Sequence, residues 1–376
     1  MDITRPLPLL GGLTPAQFMR RHWGKKPLLV RGAIAGFRPL LDRRELFALA
    51  QREQVESRLV AQAGESWRLR RGPFTRRALP PLARPRWTLL VQGVDLHDAR
   101  AHDLLARFRF VPQARLDDLM ISYASDGGGV GPHFDSYDVF LLQAQGRRHW
   151  RVGRQDELAL RPDVPLKILA SFKPEHEYVL EPGDLLYLPP RYAHDGVAQG
   201  ECQTYSIGFR SPAAGELARD LLQRLADGAD EAAGERLYRD RAQRATGEPG
   251  AIPTALQDFA RRAVASTLKD PLALQRALGE VLSEPKPSVW FESAPPRSID
   301  GGILLDRRTR MMYDAAHVFV NGESFRAAGR DAVLMRRLAD SGRLDGGDVV
   351  RASAAARSLL ASWQKAGWVR CQEGAT

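Results

Sequence analysis

Cysteine is scarce in this chain of 376 residues, which contains only Cys202 and Cys371. Two thiols are too few for a disulfide framework or a thiolate metal cluster, so a reducing compartment is expected. Long apolar runs are also missing, because no segment approaches the roughly 20 residues that cross a bilayer, and the first residues lack a signal-peptide core. We therefore expect a cytoplasmic protein without a membrane anchor.

Histidine is the next scarce residue, with eight in the chain. His133 and Asp135 stand two residues apart, a spacing that arises about once by chance in such a composition, so the context must decide its meaning. The apolar run from Pro132 to Gln143 predicts a strand, in which alternate side chains point to one side and can converge on one ion. The glycine-rich loop Asp126–Gly131 before it permits a close backbone approach.

His194 is the third ligand candidate. The segment from Pro182 predicts a turn, a short buried strand, a stop at Pro189-Pro190 and then an exposed histidine. A further strand is predicted at 203–209, and together these strands indicate a jelly-roll barrel. Two histidines and one carboxylate on one face of an octahedron suit non-heme Fe(II), because they leave positions for a co-substrate and dioxygen.

Arg148 lies on the next predicted strand, 146–152. A period of two places it on the same face as Trp150 and Val152, inside the barrel, and a buried guanidinium requires an anionic partner. A carboxylate-bearing co-substrate would supply that partner through a bidentate pair, to which Ser122 on strand 118–123 could donate a second hydrogen bond.

These motifs resemble the JmjC-type cupins of the bacterial ribosomal oxygenases. The similarity extends over nearly the whole chain and is strongest from Asp117 to Phe209. It rests on His133, Asp135 and His194, the preceding glycine loop, the following Gly146-Arg147-Arg148-His149-Trp150, and the entry segment Phe18–Leu29. Within the family, the chain is most similar to members that hydroxylate an arginine of the sixteenth large-subunit ribosomal protein.

The resemblance implies an enzyme, a 2-oxoglutarate-dependent dioxygenase. Fe(II) would be held by His133, Asp135 and His194, and 2-oxoglutarate by Arg148 and Ser122. The reaction would add a hydroxyl to the β-carbon of an arginine in a large-subunit ribosomal protein, with succinate and carbon dioxide as co-products. Acidic or aromatic residues at the barrel mouth would receive the substrate guanidinium, and Asp126 and Tyr137 are the first choices, followed by Asp138.

Two alternatives remain at this stage. One is an enzyme of the same fold with another substrate, such as a ribosomal histidine hydroxylase or an N-methyl-lysine demethylase. The other is a non-enzymatic cupin or a winged-helix RNA-binding protein. Arg148 argues against the second, because such a module does not need a buried arginine inside its barrel.

The predicted organisation is α+β and multidomain: a double-stranded β-helix of the JmjC/cupin type at 1–211, a helical dimerisation region at 212–285 and a winged-helix-like domain at 286–376. Helical spacing marks 215–237 and 254–282, and the resemblance implies that these helices pair with a second copy in a homodimer. The formal net charge of +10 favours an anionic environment such as ribosomal RNA.

Overall fold

An antiparallel sheet forms the first of two compact units, Met1–Ser211. The structure is a computed structural model that describes residues 2–229, 233–234, 236–241 and 243–372. Within that described part, the sheet order is β1-β8-β6-β9-β5-β4-β2-β3, and β7 pairs with β6. The strands are β1 (Leu28–Val30), β2 (Ser57–Ala63), β3 (Ser66–Arg71), β4 (Trp87–Val91), β5 (Leu116–Ala124), β6 (Val139–Gly153), β7 (His176–Leu180), β8 (Leu185–Leu188) and β9 (Ala193–Phe209).

The long strands β6 and β9 are paired along most of their length. Their register shifts between Gln143 and Gln145 and again between Gln145 and Arg147, and such bulges bend a ribbon. The first half of β6 also pairs with β8, whereas its second half pairs with β7. Strand β6 therefore has β9 along one side and first β8, then β7, along the other, in agreement with the predicted double-stranded β-helix.

The barrel has an apolar filling and an apolar outer cover. Three helices, α1 (Pro15–Arg21), α2 (Arg43–Leu49) and α3 (Ala99–Ala106), belong to this unit, and α1 and α2 each begin with a capping box. On β6, Phe140 and Leu142 belong to the same core as helix residues such as Phe18, whereas Val139 and Leu141 belong to a second cluster with Trp150. This alternation fixes which side chains face the barrel interior.

Two details of the predicted strands are wrong. The run 132–143 is not one strand, because β6 begins only at Val139 and His133 forms an isolated bridge with His194. The predicted strand 146–152 is the continuation of β6 past its bulges rather than a separate element. Ser136 and Tyr137 are exposed, so the segment leaves the sheet before it re-enters it at Val139.

The second unit, Pro212–Thr376, contains the predicted helices and strands. Helix α4 (Ala214–Asp227) covers most of the predicted 215–237, although residues 230–232 and 235 of that range lie outside the described part. The predicted 254–282 is two helices, α5 (Thr254–Thr267) and α6 (Ala273–Ser283), because Pro271 lies between them. Among the described helices, none is both long and apolar enough to cross a membrane.

The remainder of this unit has its own core of buried residues, including Leu338, Leu360 and Trp363. Its elements are β10 (Gly302–Leu305), β11 (Met311–Tyr313), β12 (His317–Val320), β13 (Glu323–Arg326), α7 (Gly329–Ser341), β14 (Arg343–Asp345), α8 (Gly346–Arg351), α9 (Ala354–Lys365) and β15 (Val369–Cys371). They form two three-stranded sheets, β14-β10-β15 and β11-β12-β13. The predicted boundary at 285/286 stays a prediction, since α6 contacts β11, β12 and β13 within the same unit.

Candidate metal and co-substrate site

His133, Asp135 and His194 meet at one point of the barrel. Each offers one ligand atom, and these atoms lie within 4.8 Å of one another. The two imidazole centroids are 4.3 Å apart, and the Nε2 atom of His194 is 3.8 Å from the Asp135 carboxylate. The predicted convergence of His133 and Asp135 therefore occurs, although through a bridge and a loop rather than a continuous strand.

Backbone hydrogen bonds fix the orientation of both imidazole rings. Nδ1 of His133 is 2.9 Å from the carbonyl of Gly131, and Nδ1 of His194 is 2.9 Å from the carbonyl of Tyr192. A carbonyl can only accept, so each Nδ1 carries a proton and each Nε2 is the nitrogen available to a metal. This is the arrangement by which neighbouring groups orient histidine ligands toward a metal.

His194 is the second residue of strand β9 and is buried, with 3% of its surface exposed, so the prediction of an exposed histidine is wrong. Burial, followed by the nearby His133, lowers the pKa of His194 to about 4. The ring is consequently neutral at physiological pH, which is the protonation state that a metal ligand requires. The main chains of His133 and His194 exchange two hydrogen bonds of 3.0 and 2.8 Å, which hold the two rings together.

Asp135 is fixed through its main chain. Its carbonyl accepts a hydrogen bond of 2.7 Å from the amide of Arg191, which has a φ of 63°. Gly131 has a φ of 80°, and a Cβ there would approach the side chain of Ile168 to 2.8 Å. Glycine is therefore required at the point where the chain turns toward the two ligands.

Arg148 is buried beside this cluster, with 5% of its surface exposed, as strand parity predicts. Its guanidinium lies over the ring of Trp150 at 5.7 Å, and Nη1 donates a 3.4 Å hydrogen bond to Ser122. Within the described part of the chain, its buried Nε and Nη2 atoms have no hydrogen-bond partner. Unpaired buried donors on a cation are costly, and a carboxylate bound there would satisfy them.

Ser122 shares a wall of the barrel with other polar side chains. Its hydroxyl donates to the carbonyl of Thr204 at 3.2 Å, while the Thr204 hydroxyl donates to Gln143 at 2.8 Å. All three residues are buried. Buried polar side chains thus line the barrel next to Arg148. The structure brings Ser122 and Arg148 together as the sequence predicts.

The predicted substrate residues lie in different places. Tyr137 adjoins the metal cluster: desolvation of its hydroxyl, followed by the charge of Asp135, raises its pKa, although 38% of the residue is exposed. Asp126 is exposed, and its carboxylate accepts a 2.7 Å hydrogen bond from the amide of Gly200. Asp138 is buried and accepts from Tyr187 at 2.5 Å and from the amide of Gly24 at 3.1 Å, so it serves the fold.

Asp118 is an acidic residue near Tyr137 that the sequence reasoning missed. It is buried, its charge acts on the Tyr137 hydroxyl, and it accepts from Gln92 at 2.7 Å and from the amide of Gly93 at 3.0 Å. A signal for it was available, because residues 118, 120 and 122 of β5 point to one face. Once Ser122 is placed in the barrel, the same parity places Asp118 there.

Comparisons with known proteins identify the domains and the relatives of this chain. The JmjC domain model matches residues 103–217, the ROXA-like winged helix model matches 266–370, and an AraC-like ligand binding domain model matches 173–282. Ribosomal protein uL16 3-hydroxylase of Escherichia coli K12 is 32% identical over 84% of this chain and 86% of that protein. A probable ribosomal oxygenase of Haemophilus influenzae is 36% identical over 53% of this chain and 50% of that protein.

A solved structure extends the likeness to the whole fold. The ribosomal oxygenase YcfD of E. coli, in complex with cobalt and 2-oxoglutarate, has a TM-score of 0.78 and 28% identity, covering 96% of this chain and 99% of that chain. The barrel with its two histidines, one aspartate and buried arginine defines an oxygenase of the JmjC type. This chain belongs to the ribosomal oxygenase family. The predicted family, winged helix and enzymatic class are thereby confirmed, and the non-enzymatic alternative is not supported.

The residues present fit the groups that this family uses. Two imidazoles and one carboxylate are a suitable donor set for Fe(II), and the buried donors of Arg148 that lack a partner suit one carboxylate of 2-oxoglutarate. His133, Asp135 and His194 would hold the metal, while Arg148 and Ser122 would hold the far end of the co-substrate.

Proposed function

We propose that this chain is an Fe(II)- and 2-oxoglutarate-dependent hydroxylase that modifies the β-carbon of an arginine in ribosomal protein uL16. The observation that carries the proposal is the buried, unpaired guanidinium of Arg148 beside the cluster of His133, Asp135 and His194. The choice of uL16 is supported by the name of the E. coli relative, which matches this chain over 84% of its length.

Different side chains of this chain would hold the metal, orient the co-substrate and exclude water. When bound, iron, 2-oxoglutarate and dioxygen supply an oxidant strong enough for an unactivated C–H bond, with succinate and carbon dioxide as co-products. His133, Asp135 and His194 would hold the metal from one side. Arg148 and Ser122 orient the co-substrate, and the apolar side chains Val139, Leu141 and Leu186 exclude water from the barrel.

The substrate arginine would enter beside Tyr137. Its guanidinium could lie against the phenol ring, and the buried carboxylate of Asp118 offers negative charge nearby. A free energy of about 1 kcal/mol is typical for a guanidinium over an aromatic ring. We therefore include Tyr137 and Asp118 in the substrate pocket, whereas Asp126, whose carboxylate holds the Gly200 amide, stays a prediction from the sequence.

Turnover of a uL16 peptide tests the proposal. Purified protein with Fe(II), 2-oxoglutarate and oxygen should release succinate and add one oxygen mass to an arginine, located by tandem mass spectrometry. A peptide with lysine at that arginine is the matched control and should stay unmodified. Modification at histidine, or loss of a methyl group from an N-methyl-lysine peptide, would identify one of the other substrates instead.

Variants of the ligands complete this test. Asp135→Ala and His194→Ala should each abolish turnover, because one missing ligand leaves an incomplete metal face. His149→Ala is the control, since this histidine lies on β6 beside Arg148 but pairs with Glu177 at 2.9 Å. Near-normal activity of Asp135→Ala would show that the metal binds elsewhere.

We further propose a cytoplasmic homodimer that contacts ribosomal RNA. Large apolar side chains of the second unit are exposed, and a second copy would cover them: Leu222, Val264, Leu268 and Leu274. Light scattering coupled to size-exclusion chromatography should give twice the mass of one chain, and Leu222→Asp with Val264→Asp should shift it toward the monomer. A monomeric mass for the unmodified protein at micromolar concentration would contradict the dimer.

A further inference from the structure

One segment of the first unit carries several positive charges and no negative charge. Residues 66–94 contain seven arginines and no acidic residue, whereas the whole chain has 45 acidic residues in 376, or about one in eight. The arginines are Arg68, Arg70, Arg71, Arg76, Arg77, Arg84 and Arg86. We call residues 66–86 the arginine segment. An arginine-rich composition alone explains the arginines but not the missing carboxylates.

Within the described part of the chain, most of these guanidiniums are exposed and make neither a side-chain hydrogen bond nor an ion pair. Arg70 donates to the carbonyl of Ala78 and Arg76 lies over the ring of Phe47, so these two are tied to the protein. Among the residues that the structure describes, the other five have neither a side-chain hydrogen bond nor an ion pair, and all are exposed: Arg68, Arg71, Arg77, Arg84 and Arg86. They are therefore available to an anionic partner.

The arginine segment borders the mouth of the candidate active site. Its first part is β3, the last strand of the sheet, which pairs only with β2 among the described strands. The ring of Trp67 would lie 3.2 Å from a Cβ at Gly131, two residues before the metal ligand His133. At the other end, the amide of Arg86 donates to the carbonyl of Asp126 at 2.8 Å, so the segment contacts both ends of the glycine loop.

We infer that the arginine segment binds the phosphate backbone of RNA next to the mouth of the site. Several separate exposed guanidiniums without a pocket match a repeating polyanion, in which each phosphate can receive one cation. A basic ribosomal protein segment would be repelled by the same surface, so the protein substrate does not explain it. The bound RNA would hold the enzyme near its ribosomal substrate, and in this respect the inference rests on the proposed function.

Binding of a labelled RNA by the full-length protein tests the inference without any turnover. The probe is a fluorescein-labelled 20-nucleotide oligouridylate, whose anisotropy is followed at several salt concentrations with metal-free protein. The variant replaces Arg68, Arg77 and Arg84 by serine. Loss of three phosphate contacts should weaken binding about tenfold or more and reduce the slope of log affinity against log salt by about 2.

A matched control has the same loss of charge elsewhere on the first unit. Arg38, Arg52 and Arg107 are also exposed and, within the described part of the chain, make neither a side-chain hydrogen bond nor an ion pair, so their replacement by serine should leave the salt slope unchanged. Replacement of Arg68, Arg77 and Arg84 by lysine should restore most of the binding, since a phosphate accepts either cation.

Three results would overturn the inference: no RNA binding by the unmodified protein, equal losses in the two serine variants, or binding of polyglutamate as tight as that of RNA. The last would identify an acidic protein as the partner. Failure of the peptide hydroxylation test would leave the RNA measurement valid, since that measurement needs neither iron nor 2-oxoglutarate.

Discussion

At the scale of single residues, Arg148 is the most informative side chain, because it is a buried cation whose surroundings do not satisfy it. Its replacement by methionine keeps the volume and removes the charge. We expect the concentration of 2-oxoglutarate needed for half-maximal turnover to rise about 100-fold, as the loss of a buried charge pair costs roughly 2 to 5 kcal/mol.

The neighbouring arginine provides the control for that measurement. Arg147 is exposed on the opposite face of β6, so Arg147→Met should leave the 2-oxoglutarate dependence unchanged. Titration of co-substrate with the rate of succinate release as readout compares the two variants directly. An unchanged dependence in Arg148→Met would place the co-substrate elsewhere.

Ser122 should have a smaller effect than Arg148. Its hydroxyl accepts one hydrogen bond from Arg148 and donates another to the Thr204 carbonyl, and both are neutral or long. Ser122→Ala should raise the 2-oxoglutarate requirement about fivefold, corresponding to about 1 kcal/mol, with little change in the maximal rate. An effect as large as that of Arg148→Met would mean that the serine contacts the co-substrate more strongly than its position indicates.

Strand parity made these site residues predictable. It predicted that Arg148 and Ser122 face the barrel interior, because a period of two depends only on the local backbone, whereas His133 and Asp135 converge outside any continuous strand. It could not give the bridge between His133 and His194 or the burial of His194, which arise when distant segments pair. Asp126 was chosen for its charge, and only the structure shows that the Gly200 amide already holds its carboxylate.

At the scale of elements, a glycine of β9 leaves the space that an aromatic ring of β6 occupies beside the site. A Cβ at Gly196 would lie 2.6 Å from the ring of Trp150, whose indole faces both His194 and the guanidinium of Arg148. Gly196→Ala must displace that ring at a cost of about 1 to 3 kcal/mol. We expect at least tenfold weaker binding of Co(II) and 2-oxoglutarate in absorption and fluorescence titrations.

Gly208 of the same strand serves as the comparison. A Cβ at this position would meet nothing closer than 3.6 Å, which is ordinary contact, so Gly208→Ala should bind the metal normally. If both alanine variants lose metal binding equally, general weakening of β9 rather than displacement of Trp150 is responsible.

Asp306 should control the acid stability of the second unit. This carboxylate follows β10 and is buried; desolvation alone would raise its pKa, but hydrogen bonds from Arg308 and the charge of Arg370 outweigh it and lower the pKa. The unfolded chain therefore binds the proton first, and the stabilisation is complete above a pH of about 4 and is lost as the pH falls toward the folded pKa.

Asp306→Asn should accordingly destabilise the protein by about 2 kcal/mol at neutral pH and by progressively less below pH 4. Chemical unfolding followed by tryptophan fluorescence at pH 7, 5 and 3 gives the difference from the unmodified protein. Glu323→Gln, at an exposed position, should show no such difference at any pH. A constant difference for Asp306→Asn across this range would show that its ionisation is not the cause.

Whole elements were predictable where a pattern is local. The short strand predicted between Pro182 and Pro189 is found at Leu185–Leu188, since a turn and a Pro-Pro stop flank its apolar run. The predicted helical segment 254–282 is divided into two helices because Pro271 lies between them. The two predicted strands of β6 are one strand, which continues past the bulges opposite β9. Bulges are set by the partner strand, so one segment of sequence does not reveal them.

At the scale of the whole molecule, the candidate site lies within one of the two compact units. All five residues that would hold the metal and co-substrate lie in Met1–Ser211, and each unit has its own buried core. Ligands that bind only the folded first unit should stabilise that unit alone. A concentration 100 times the dissociation constant contributes about 2.7 kcal/mol.

Calorimetry of the full chain should therefore show two transitions that respond to different changes. Co(II) with 2-oxoglutarate should raise the transition of the first unit by about 5 to 10 °C, because 1 kcal/mol corresponds to roughly 2 to 4 °C in a domain of this size. Asp306→Asn should lower only the other transition, since this residue lies in the core of the second unit. A single transition that moves as a whole in both experiments would show that the units unfold cooperatively, and that the boundary near Ser211 is geometric but not energetic.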